Sequence, residues 1–105
     1  DEVTELTIYE WFETFNEEGE HELNFVYDTA NRRVVTIDFF ANPITAGTYV
    51  LGDNLSETYC KYQGKTMSEC TVVVTENADG TLTFDANFVV DYARYHFNYT
   101  EKIYE

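Results

Sequence analysis

At 105 residues, with six Lys and Arg against twenty Asp and Glu, the chain carries a formal net charge of −14. A field of that sign disfavours nucleic-acid backbones and anionic membranes, because phosphate binding needs basic side chains to displace counterions. The length bounds one domain, eight Phe, nine Tyr and one Trp supply a core without metal or dense disulfides, and no apolar run reaches the ~18 residues of a membrane helix.

Ten of the acids precede the first basic residue, Arg32. That asymmetry is either a solubilising surface or an acidic face for a cation or basic protein, with Glu17, Glu18 and Glu20 at its centre. The chain begins at Asp1 with no basic and apolar leader pattern, so a mature or trimmed product is expected, its signal removed or not included.

The first predicted strand covers residues 4–15, where Leu6 and Ile8 share one face and Tyr9 and Trp11 the other. Its aromatic and β-branched content favours strand over helix. Residues 16–21, with Glu17-Glu18-Gly19-Glu20, read as an exposed turn. Leu23, Phe25 and Tyr27 alternate with polar residues in a second strand, and Val35, Ile37 and Phe39 do so in a third. Asn42-Pro43 stops the third, since Pro lacks a ladder donor. A short strand over residues 48–51, a turn at 52–54, an edge strand over 57–62 and a turn at 63–66 follow.

The last third carries the plainest pattern. Val72 and Val74 alternate with Thr71, Val73 and Thr75, and Asn77-Ala78-Asp79-Gly80 ends the run. Leu82, Phe84, Ala86, Phe88 and Val90 then share one face, as do Tyr95, Phe97 and Tyr99 after a second turn. Alternation punctuated by Asp-Gly is a hairpin signal. The expected fold is all-β, a single-domain antiparallel β-sandwich of seven or eight short strands spanning residues 1–105, with a closed barrel as the alternative.

The order of these segments resembles small β-sandwich domains of exported, lipid-anchored envelope proteins of Bacteroidales-type bacteria. The resemblance rests on Ala46-Gly47-Thr48-Tyr49-Val50-Leu51 after Ile37-Asp38-Phe39-Phe40, then on Thr71-Val72-Val73-Val74, Asp79-Gly80-Thr81 and Phe97-Asn98-Tyr99-Thr100-Glu101-Lys102-Ile103. It covers residues 23–103 and implies export to the periplasm or cell surface, a lipid anchor upstream and a non-catalytic role. Where such domains tend to have Gly before the Thr-Val-Val-Val strand, this chain has Glu69-Cys70.

That departure adds weight to a Cys60–Cys70 disulfide closing a nine-residue loop, worth about 3 kcal/mol in the chain-entropy model. The alternative is two reduced thiols, one of them a buried small hydrophobe. A zinc site is not expected, because His21 and His96 are distant in sequence and no Cys-x-x-Cys pair is present.

No catalytic residues are assigned and no cofactor is expected. Ser56 and Ser68 lie in turns without a nucleophile motif, and His96 falls on the outward parity of its strand. Asp53, Asn54 and Glu57, or Asn77 and Asp79, offer oxygen ligands, but turn formation accounts for them and the spacing is not that of a calcium loop. Asn54-Leu55-Ser56, Asn98-Tyr99-Thr100 and Asp28-Thr29-Ala30 match short glycosylation patterns of low specificity.

Trp11, Tyr59, Tyr62, Tyr92 and Tyr95 are the binding candidates, since exposed Tyr and Trp make rigid contact surfaces for proteins or glycans. Core packing competes for Trp11 and Tyr62. The sequence thus supports an exported cell-envelope binding or structural module without catalytic activity, with an acidic inhibitor or mimic as the alternative.

Overall fold

The computed structural model describes residues 2–51 and 60–104. They form ten strands and no helix: β1 (Val3–Glu5), β2 (Glu10–Phe15), β3 (His21–Asp28), β4 (Arg33–Asp38), β5 (Gly47–Val50), β6 (Lys61–Tyr62), β7 (Lys65–Thr66), β8 (Glu69–Glu76), β9 (Leu82–Val90) and β10 (Ala93–Glu101). One sheet runs β1-β10-β9-β8-β5 and the other β2-β3-β4-β6-β7, neither closed into a barrel. Every pair is antiparallel except β1 with β10.

The two sheets face each other across one apolar cluster, in a sandwich-like arrangement. Phe84, Ala86, Phe88 and Phe97 are at most 2% exposed, as the period-two pattern of the last third requires. Across the gap, Phe25 of β3 lies 5.5 Å from Phe84, 4.8 Å from Phe97 and 6.0 Å from Tyr99, ring centre to ring centre. Such tilted contacts add to the hydrophobic burial of each ring.

Two turns share one design. Asn16 donates its N–H to the Glu20 carbonyl while Gly19 donates back to Asn16, and Asn77, Thr81 and Gly80 repeat the pattern. Gly19 (φ 78°) and Gly80 (φ 87°) occupy the left-handed position that this three-residue hairpin loop needs. The Asn16 Oδ1 also accepts from the backbone N–H of Glu18 and Glu20.

Three expectations need correction. The described residues hold ten strands rather than seven or eight. The first predicted strand is two: β1 joins β10, residues 6–9 cross between the sheets, and β2 joins β3. The turn at residues 63–66 is part of a small β6–β7 hairpin, made by Gln63 and Gly64 at φ 54° and 75°. Of the predicted strand over 57–62, β6 falls within the described residues. The turn at 52–54, Ser56, Tyr59 and the ligand candidates Asp53, Asn54 and Glu57 lie outside them.

Candidate functional site

The surface richest in unusual features is β2 with its following turn. Trp11 and Glu13 pair with the core residues Phe25 and Leu23, so they face inward, and Glu10, Phe12 and Thr14 face outward. Trp11 is half-buried against the core. Tyr9, Phe12 and Phe15 remain 61%, 38% and 54% exposed. Phe12 lies on the outer face of β2, Phe15 at its inner margin and Tyr9 just before it, so one outer strand presents exposed rings on both faces.

Acids neighbour these rings in sequence. Glu17 and Glu18 are exposed in the turn, Glu20 is half-buried, and Glu10 pairs with Arg32 at 3.1 Å. The Arg32 guanidinium also lies 5.6 Å from the Phe12 ring centre, within cation–π range. This surface therefore already holds one cation between an aromatic face and a carboxylate.

Beneath β2 sits a buried polar group that sequence reasoning did not assemble. His21, 6% exposed, meets the Glu13 carboxylate at Nδ1 and the Asn42 Oδ1 at Nε2, the latter at 2.8 Å. Asn42 Nδ2 donates to the Gly19 carbonyl, which fixes the orientation of its amide. Phe15 and Tyr104 flank the imidazole. Nearby, buried Asp38 accepts from Asn16 Nδ2 and the Phe40 N–H, and burial raises its pKa despite those bonds. Together these contacts anchor both ends of the turn that follows β2.

His96 lies on the outer face of the other sheet, as its parity predicts, but it is not free. Its Nδ1 meets Glu5 at 2.7 Å and its Nε2 meets Asp85 at 2.5 Å. The Glu5 hydrogen bond, with that of Asp85 in support, raises the imidazole pKa against the opposing effect of burial. Both ring nitrogens are thus committed to binding β1 and β9 to β10.

Tyr62 lies in the core and Tyr95 is half-buried beside it. Tyr62 is 5% exposed, packs on Tyr27, Phe88 and Tyr95, and is pushed up to a pKa of about 12 by burial. Tyr95 stacks on Phe88 at 5.2 Å, because it shares the inward parity of Phe97 and Tyr99. Tyr92 is fully exposed in the β9–β10 turn at φ 67°, at a distance in sequence from the acidic segment. Turn geometry explains Asn77 and Asp79, whose oxygens and amide bind within residues 77–83.

The disulfide is also corrected. Cys60 and Cys70 are buried free thiols. They are neighbours joined by a hydrogen bond that lowers the Cys60 pKa and, with burial, raises that of Cys70. The two side chains lie together, as the expected bridge requires, but no covalent bond joins them.

Among the described residues, no group of three or more His, Cys, Asp or Glu is placed to hold a metal ion, and no helix is long and apolar enough to cross a membrane. Ser68 Oγ donates to the Val89 carbonyl, with no imidazole as partner. An open hollow of about 480 Å³ is lined by Tyr27, Arg33, Val34, Gln63 and Gly64, which include no nucleophile–base pair. No family model, curated protein or solved structure matches the chain.

Proposed function

We propose that this chain is a non-catalytic protein-binding module, a β-sandwich of the exported, envelope-associated kind that residues 23–103 resemble, and that β2 with its turn is its contact surface. One observation carries the reading: Tyr9, Phe12 and Phe15 stay exposed on or beside an outer strand that runs into a turn carrying exposed Glu17 and Glu18. Aromatic anchors beside such charge give a partner both a desolvated centre and a steered approach. The commitment of both His96 nitrogens and the burial of both thiols support a non-catalytic role.

A second reading, an acidic inhibitor or mimic that occupies a basic site, is favoured by the exposure of Glu17 and Glu18 at the turn. The two differ in what binding depends on. Trp11 is the sole tryptophan and belongs to β2, so its fluorescence reports on this surface. Titration with a Lys-rich peptide across a salt series is expected to change that emission. Phe12→Ser and Phe15→Ser are expected to weaken binding at every salt concentration, and Tyr92→Ser to leave it unchanged. Loss of binding with Glu17→Gln and Glu18→Gln alone, with the Phe variants intact, would favour the mimic.

A further inference from the structure

We propose that β2 receives an extended cationic peptide segment as an added sixth strand of its sheet. This inference rests on the contact surface proposed above and specifies the mode of docking and the chemistry of the partner.

The argument begins with the ladder. The Asn16 N–H bonds the Glu20 carbonyl at the hairpin end, and the β2–β3 register runs without a shift from Glu10↔Val26 to Phe15↔His21. Antiparallel pairs alternate between bonded and non-bonded positions. Thr14, Phe12 and Glu10 therefore direct their backbone groups toward β3. Phe15, Glu13 and Trp11 direct theirs to the open side, where no strand among the described residues pairs with them.

Outer strands are usually protected by shortness, Pro, Lys, bulges or covering segments. Of the other outer strands, β7 has two residues and begins with Lys65, β1 has three and β5 has four. β2 has six residues, Glu-Trp-Phe-Glu-Thr-Phe, with no Pro or Lys, and its register is regular from Glu10 to Phe15, the one irregularity lying before it, where the Tyr9 N–H also bonds the Val26 carbonyl. Its own carboxylates are engaged, Glu10 by Arg32 and inward-facing Glu13 by His21, and the exposed Glu17 and Glu18 of the adjoining turn supply the charge that repels an acidic strand and admits a basic one.

The same charge argues against a second copy as occupant. Two chains of net charge −14 would bring their acidic segments together along a shared edge. Arg32 illustrates the favoured alternative, with its guanidinium near the Phe12 ring and against Glu10. In the docked segment, basic side chains on one face would meet Glu10 and the outward-facing Phe12 ring, as Arg32 does. Apolar side chains on the other would meet Phe15 at the inner margin, which is strand addition with alternate-side-chain specificity.

The test uses the whole chain and two end-blocked peptides of equal charge, one alternating Lys and Val, the other alternating Lys and Pro. Amide hydrogen exchange is read with and without each. Lys-Val is expected to slow exchange about tenfold or more at Trp11, Glu13 and Phe15 while Phe12 and Thr14 change little, and to bind about tenfold more tightly than Lys-Pro. Equal affinity of the two without protection at those amides would overturn strand addition and leave the binding surface standing. Protection at β1 or β5 instead would overturn the assignment to β2. Binding of neither peptide at low salt would overturn both the docking mode and the surface.

Discussion

Raising the pH through the titration of His96 is expected to loosen β1. Two carboxylates flank the ring, and only an imidazolium has an N–H for each; the neutral ring has one. The Glu5 and Asp85 side chains are 68% and 45% exposed, so solvent screening limits each contact to about 0.5–1 kcal/mol. Because the folded-state pKa is raised, this contribution is fully present below the ordinary value of 6.5 and is lost as pH rises through the raised one. Deprotonation forfeits one contact, which corresponds to a roughly two- to fivefold increase in β1 opening. The Leu6 amide reports it directly, since its N–H bonds the His96 carbonyl. Its exchange, corrected for intrinsic rate, is expected to accelerate by that factor across the window. Glu5→Gln should bring the His96 titration, followed by NMR, back toward 6.5. A wild-type His96 that titrates at or below 6.5, or one that Glu5→Gln leaves unmoved, would refute the reasoning.

His21→Ala removes a ring that is 6% exposed and partners half-buried Glu13 and exposed Asn42, and is expected to cost about 1–3 kcal/mol in denaturant unfolding. Phe84→Ala should cost about 3–5 kcal/mol by the same assay, because the ring is fully buried against Phe25 and Phe39. Phe12→Ser and Phe15→Ser, at positions 38% and 54% exposed, should each cost about 1–2 kcal/mol, and circular dichroism under the binding conditions is expected to show both variants folded. Titration of the non-reduced protein with a thiol reagent is expected to find two thiols on denaturation and slow reaction of the raised Cys70 thiol when native; a count of zero would contradict the free pair.

The closing hairpins were legible because each of β8, β9 and β10 has one buried and one solvated face, and a slip of one residue would reverse them. The division of the first strand left a trace in the same parity. Leu6 and Ile8 pack on the core from even positions, whereas Trp11 does so from an odd one. That switch marks a chain passing from one sheet to the other. Tyr95 could likewise have been placed inside from its spacing with Phe97 and Tyr99. The polar groups were another matter. Glu5 meets His96 across 91 positions and His21 meets Asn42 across 21, through pairings that depend on register and loop closure. Hydrophobic periodicity carries neither. At the candidate surface, the acids and Trp11 were visible in the sequence. The exposure of Phe12 and Phe15 was not, because it follows from the position of β2 at the end of its sheet.

The central claim, that β2 and its turn are the contact surface, is tested most directly by mapping backbone chemical shifts as the Lys-Val peptide is added at near-physiological salt. The account predicts that the largest changes fall in residues 9–20, with the β9–β10 turn around Tyr92 and the outer face around His96 unaffected. Changes spread evenly over the acidic surface, or centred anywhere other than residues 9–20, would contradict it.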